Sequence, residues 1–402
     1  MANIYLDHAA TTYLDPRVFE AMKPYLLGDG FANPSSFHSL GKIAKEAVDE
    51  AREKIAKILN CKSSEIVFTS GGTESDNLAI LGIYRALKSK GNHIITDKIE
   101  HHAVLHSFEH LEKKEGARAT LLNVDKYGMV NIADLEAVLA PETVLISIMY
   151  ANNEIGTVNP ITEIAKTIKK FKEKLGRKLN EPPFFHTDAC QAAGALDLNV
   201  QKLGIDLMTI NASKIYGPKG VGMLYVRQGI RPEPLIFGGG QEAGLRGGTE
   251  NVPGVVGFAR ALELAQTEKD KENVRLVELR DYAIKELLKI PKSRLNGHPR
   301  ERLPNNVNIS FLDIEGEAMV LYLDAKGIYI STGSACTSGS LDPSHVILGI
   351  GLPYEAAHGS LRISMGQKTT KEDIDYVVSV LPGIVEKLRS ISPVKVEMKH
   401  YV

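Results

Sequence analysis

From about residue 65 onward, short β-branched runs alternate with amphipathic stretches. The runs 65–69, 92–96, 144–149, 183–187, 206–210 and 221–226 are largely apolar, the pattern of strands buried on both faces of a sheet. Between them, 75–90 and 161–175 carry apolar residues three and four apart with lysines on the outer face, which predicts helices. Together these periods predict an α/β fold with a mostly parallel central sheet covered by helices. A long helical pattern over 253–290, through Val255, Phe258, Leu262, Val274, Leu279, Ile284 and Leu287, leads into a second, smaller α+β unit. That unit is predicted to hold strands at 306–311 and 360–364 and a helix over 371–388. The expected division is a large domain at 16–260 and a small domain formed by 1–15 and 261–402, with a loop at about 328–345.

The chain has 402 residues, enough for two or three cores, and its composition is ordinarily globular at 43% hydrophobic and 24% charged. Its 48 basic and 49 acidic side chains leave a formal charge of −1, which points to neither nucleic acid nor an anionic membrane as partner. No apolar run reaches the roughly 18 residues that span a bilayer, and the first residues do not read as a signal peptide, so a cytoplasmic protein is expected. Three well-separated cysteines, Cys61, Cys190 and Cys336, form no Cys-x-x-Cys pair, and no disulfide framework is expected.

Five places carry candidate chemistry. Thr69-Ser-Gly-Gly-Thr73 joins a strand to a helix start, where exposed backbone N–H groups and the helix dipole suit a phosphate; an ordinary helix cap is the competing reading. Asp188 closes an apolar strand at the sheet edge where α/β proteins bind ligands, and a carboxylate there needs a cation; an acid capping the next helix is the competing reading. Lys214, in Asn211-Ala-Ser213-Lys214-Ile-Tyr-Gly217, is held between a strand end and a tight turn, as a nucleophilic amine would be; an exposed salt-bridging lysine is the competing reading, against which the nearby glycines count. The glycine-rich 237–251, which contains Arg246 and Thr249, needs an anion, a substrate or a neighbouring subunit to order it. Cys336 lies among glycines and serines with no bulky apolar neighbour, an idle turn or a reactive thiol. Cys190, flanked by alanines, reads as packing. His102 and His106 lie one helical turn apart without a third ligand, so no metal is expected. Arg362 sits in a strand-like run where its guanidinium can fork onto a carboxylate or join a surface ion pair.

In this order along the chain, Tyr5-Leu-Asp-His-Ala-Ala-Thr-Thr12, the Gly-Gly-Thr turn, His101, Asp188, Lys214 and Gly333-Ser-Ala-Cys-Thr-Ser-Gly-Ser-Leu-Asp-Pro-Ser-His-Val346 resemble the cysteine desulfurases of the NifS and IscS kind. These are class V aminotransferase-like, fold-type I enzymes of pyridoxal 5′-phosphate. The resemblance covers nearly the whole chain. It implies that Lys214 forms the Schiff base, Asp188 partners the pyridinium nitrogen, and His101 stacks on the ring and shuttles protons. It further implies that Gln191 reaches the phenolic oxygen, that Gly72 and Thr73 hold the phosphate, and that Thr249 reaches the phosphate of the other subunit in a homodimer. Asn153 and Arg362 would receive the carboxylate of L-cysteine, and Cys336 would take its sulfur as a persulfide and hand it to an acceptor such as an iron–sulfur scaffold.

Two departures qualify the carry-over. Where many relatives have Ser-x-His before the lysine, this chain has Asn211 and Ser213, which can hydrogen-bond a phosphate but bring no imidazole charge. The C-terminal residues 392–402 also lack the extended tail that IscS-type relatives turn towards their scaffold. A selenocysteine lyase or related class V aminotransferase shares the cofactor site and is the alternative enzyme. A non-catalytic cofactor-binding adapter is the alternative outside catalysis, although it would have no need of Lys214, His101, Asp188 and Cys336 together.

Overall fold

The computed structural model describes residues 3–332 and 343–392. In chain order its strands are Ile4–Tyr5 (β1), Ile66–Thr69 (β2), His93–Asp97 (β3), Arg118–Leu122 (β4), Thr143–Ser147 (β5), Phe184–Asp188 (β6), Leu207–Asn211 (β7), Gly222–Val226 (β8), Ser293–Asn296 (β9), Asn306–Phe311 (β10), Ile328–Tyr329 (β11) and Ser360–Ser364 (β12).

Seven of them form one sheet in the order β2-β8-β7-β6-β5-β3-β4. Its pairs from β7 to β4 are parallel, and β8 alone runs against its neighbours. The expected mostly parallel sheet is present, with one strand, β4, that the apolar pattern did not reveal. Its five residues Arg-Ala-Thr-Leu-Leu are mostly half-buried or exposed at the sheet edge, so the sequence carries no double-sided apolar run there.

Apolar clusters fill both faces of this sheet. On one side Phe68, Ile146, Phe185, Met208 and Met223 meet Ala44, Val48, Ile55 and Leu59 of the helix Ser39–Leu59 and Phe258 and Leu262 of the helix Val252–Leu287. On the other, Val67, Ile94, Leu145, Phe184 and Leu224 pack against Ile80, Ile83, Val104 and Phe108. The predicted helix over 75–90 begins earlier, at Gly72–Asn77, and continues through a π turn at Leu78–Gly82 into Ile83–Leu87.

A second core gathers around the antiparallel β12-β10-β9 sheet, the β1-β11 pair and the helices Gly316–Asp324 and Lys371–Ile391. The 36-residue helix Val252–Leu287 serves both cores, burying Val255, Phe258 and Leu262 in the first and Leu276, Ala283 and Leu287 in the second. Among the described residues no helix is long and apolar enough to cross a membrane.

Between the two cores runs residues 7–15, stitched to both. Leu6 and His8 exchange backbone hydrogen bonds with Ser364 of β12, while Thr12 and Asp15 donate to the carbonyls of Ser213 and Tyr216. This strap roofs the carboxyl edge of the large sheet.

Candidate active site

Loops leaving the carboxyl ends of β2, β3, β5, β6 and β7 converge on a cavity of about 300 Å³. It is lined by Gly72, Thr73, His101, Asn153, Asp188, Gln191, Asn211, Lys214 and Arg362, with Ala9 and Ala10 of the strap as its roof. A larger space of about 470 Å³ lies beyond the strap and shares only Gln191 and Lys214 with it. The smaller one is the candidate site, because the acid, the amine and the glycine turn meet there.

Asp188 is the last residue of β6, and its carboxylate, 8% exposed as a residue, accepts the Cys190 N–H at 2.8 Å. Lys214 ends a short 3₁₀ turn after β7, and its Nζ donates to the Ala10 carbonyl. Gln191 Nε2 donates to the neighbouring Ala9 carbonyl at 2.9 Å. His101 caps the helix His102–Glu115 by accepting the Ala103 N–H on Nδ1 at 3.1 Å, which points the other ring nitrogen's chemistry elsewhere. Arg362 leaves β12 with its side chain 2% exposed; Nη1 donates to the Asn153 carbonyl at 3.1 Å and Nη2 to Asp7 Oδ1 at 2.8 Å.

Two expected members do not line this cavity. Ser213 contributes its carbonyl to the strap, as acceptor for Thr12. Thr249 is exposed and is not among the residues that line the cavity. Cys336 lies outside the described residues, but the chain on either side of it is placed. Ser331 exchanges backbone hydrogen bonds with Arg362, and Ser360 Oγ donates to the Thr332 carbonyl at 3.1 Å. Beyond it, Ser344 donates to Glu154 Oε2 at 2.5 Å, and His345 Nε2 lies 2.9 Å from the Glu100 carbonyl. The described chain thus ends at Thr332 beside β12, and His345, after it resumes, bonds the carbonyl of Glu100, the residue before His101.

Behind the cavity sits a polar layer that the sequence did not reveal. Burial and nearby Asp188 push Asp76 well above the carboxylate range; burial, Asp97 and Asp188 do the same to Glu100. Burial raises Asp97 to about 7. His186, one pleat below Asp188, is held neutral by burial at about 4, its nitrogens 2.9 Å from Ser147 Oγ and 3.0 Å from Thr209 Oγ1. His102 is likewise lowered to about 4 by burial and by His345, His106 and His101, and packs 4.6 Å from the His345 ring and 5.0 Å from that of His106. Asp76, Asp97 and Glu100 stand on separate segments, so no local motif announces them, whereas His186 lies two residues before Asp188 on β6 and His102 is one of the paired histidines of the sequence.

The environments of the other two thiols disfavour the thiolate. Burial, then Asp188 and Asp76, raise the Cys190 thiol well above its usual range, and burial with Glu65 lifts Cys61 to about 12.

The arrangement suits an anionic, planar cofactor. Asn211 Oδ1 is buried in the cavity wall without a hydrogen-bond partner, Gly72 and Thr73 at the start of a short helix line the wall beside it, and a buried carboxylate and a lysine amine face the same space.

An open, mostly parallel sheet with a buried acid at one strand end and a lysine after the next is the architecture of the fold-type I transferases. Solved structures bear this out: a NifS-like protein superposes with a TM-score of 0.88 at 36% identity, covering 96% of this chain and all (100%) of that one. The chain belongs to the class-V aminotransferase family, whose profile matches residues 4–377. It is 54% identical to the cysteine desulfurase IscS of Dictyoglomus turgidum over 98% of each chain, and 52% identical to that of Methanosarcina thermophila over 97% of this chain and 94% of the other.

Proposed function

We propose that the protein is a cysteine desulfurase that binds pyridoxal 5′-phosphate around Lys214 and moves the sulfur of L-cysteine onto Cys336, releasing L-alanine. The observation that carries the reading is the meeting of Lys214, Asp188, the Gly72-Thr73 turn and Arg362 in one cavity, in a chain whose relatives bear that name.

Gly72 and Thr73 would hold the phosphate through backbone and hydroxyl donors, with Asn211 and Ser213 near it. Asp188 would face the ring nitrogen, His101 the ring face, and Gln191 the phenolic oxygen. When bound, the cofactor supplies an electron sink for negative charge developing at the amino acid's Cα.

Lys214 is placed to remove the Cα proton and return it. Its bond to the Ala10 carbonyl orients the amine within the site. His101, with Nδ1 engaged by Ala103, exchanges protons through Nε2. Arg362 and Asn153 would orient the substrate carboxylate, which fixes the direction of the substrate's thiol. The Cys336 thiolate bonds to the substrate sulfur as the C–S bond breaks, its electron pair passing to carbon, and protonation there yields L-alanine. The persulfide then serves an acceptor, such as an iron–sulfur scaffold. Thr249, exposed on its own chain, would complete the phosphate site of a second copy in a homodimer.

Mass spectrometry of the holoprotein after L-cysteine treatment tests the reading. One added sulfur on the Cys336 peptide with stoichiometric L-alanine is expected. A protein that takes up no pyridoxal phosphate, or one that turns over L-selenocysteine and leaves L-cysteine untouched, would overturn it.

A further inference from the structure

Asp7 has no assigned part in this site, yet it is the only acid paired with Arg362 among the described residues. We infer that Asp7 is the positioning residue of the substrate-carboxylate site: it fixes the plane of the Arg362 guanidinium and weakens that cation's grip on the incoming carboxylate. The inference rests on the reading of Arg362 as the carboxylate receiver.

Three features of the structure carry it. First, the pair is asymmetric in burial: the Arg362 side chain is 2% exposed and that of Asp7 21%. A guanidinium so deeply buried needs a counter-charge while the site holds no substrate, and Asp7 supplies one at 2.8 Å. Second, the strap has little freedom to carry Asp7 away. The neighbours Leu6 and His8 are hydrogen-bonded to Ser364 on the strand that bears Arg362, Ala9 N–H donates to Ser364 Oγ at 2.9 Å, and Tyr5 Oη reaches the carbonyls of Asp7 and Thr11 at 3.1 and 2.9 Å. Third, the guanidinium is held from two sides by separate elements, Asp7 on Nη2 and the Asn153 carbonyl on Nη1, and two such bonds define a plane.

A fixed plane is what bidentate recognition of a carboxylate requires. The negative charge of Asp7 has a second consequence. It sits 2.8 Å from the guanidinium that would receive the substrate carboxylate, and like charges sharing one cation inside a protein repel appreciably. The site therefore orients a monocarboxylate well and binds it only moderately, which favours release of an amino-acid product that keeps the same carboxylate.

Propionate, a carboxylate with no amino group to react, is the probe. Its affinity for the holoprotein is measured by calorimetry, alongside kcat and KM for L-cysteine. Asp7→Asn keeps an oxygen towards Nη2 and removes the charge, so propionate should bind about fivefold tighter and KM should fall to match, with kcat within about threefold of the original. Asp7→Ala removes the oxygen as well; propionate should again bind more tightly, but kcat should drop about tenfold as the guanidinium plane is lost. If the amide variant does not fold, Asp7→Ser carries the same expectation for propionate. A merely structural Asp7 would lower stability in these variants without tightening propionate, and unchanged or weaker propionate binding overturns the proposal. Arg362→Gln separates the two readings. Loss of propionate binding there with no change in Asp7→Asn sinks this inference alone, whereas propionate binding that survives Arg362→Gln sinks the carboxylate assignment beneath it.

Discussion

Arg52 grips Glu242 with both ends of its guanidinium, Nη1 2.8 Å from Oε2 and Nη2 2.7 Å from Oε1. The Glu242 side chain is 3% exposed, also accepts the Phe68 N–H at 2.8 Å, and sits at a left-handed φ of 47° that a non-glycine residue adopts only under constraint. This pair, with Arg246 donating to Glu74 at 3.1 Å, is what orders the glycine-rich segment 237–251 against the large sheet. Glu242→Ala leaves a largely buried guanidinium unpaired, and a loss of about 2–3 kcal/mol is expected from urea unfolding. Faster amide exchange confined to 237–251 would accompany it; unchanged exchange there would show that the glycine segment is ordered by something else.

Lys214 is the amine that the site presents. Lys214→Ala should still fold, since the strap that Lys214 bonds at the Ala10 carbonyl is also tied down through Thr12 and Asp15, but it should retain no cofactor covalently. Borohydride reduction followed by intact mass measurement decides the matter. A pyridoxyl adduct that persists in the variant would place the linkage on another lysine.

The three thiols should divide sharply. Cys190 and Cys61 stay protonated near neutral pH because burial disfavours the thiolate, so Cys190→Ala and Cys61→Ala should keep sulfide release within about threefold. Cys336→Ala should abolish it while leaving cofactor absorbance intact. Sulfide production that survives in Cys336→Ala would remove that residue from the reaction.

Asp97 provides a pH signature. Its folded value near 7 lies above the ordinary aspartate value of 3.8, so its contribution is fully present below about pH 4 and is lost as pH rises through 7. Asp97→Asn mimics the protonated acid and can keep the acceptor for the Ile99 N–H, which Asp97 Oδ1 takes at 2.8 Å. The variant should match the original near pH 4 and exceed it at pH 8 by on the order of 1 kcal/mol or more, read from urea midpoints. A variant less stable at pH 8 would mean that Asp97 is ionised in the fold.

Much of this was legible in one dimension. The strands of the sheet centre announce themselves because both their faces are buried, and Asp188 and Lys214 are conspicuous because a charge directly after such a run has to be used. β4 was hidden because an edge strand with exposed positions resembles a loop. The acids behind Asp188 were hidden for a different reason: Asp76, Asp97 and Glu100 look like ordinary polar residues until the fold buries them together.

The sequence by itself determined the alternation of strand and helix, the family to which the chain belongs, and the residue types that can do chemistry, since these follow from local periodicity and residue order. Only the tertiary structure decided which groups act on one another. It closed the residue 7–15 strap over Lys214 and set Asp7 against Arg362, 355 positions apart along the chain. It also buried Glu242 against Arg52 and left Thr249 facing outward. Those pairings depend on distance and on how far each charge is removed from water, and neither quantity exists until the chain has folded.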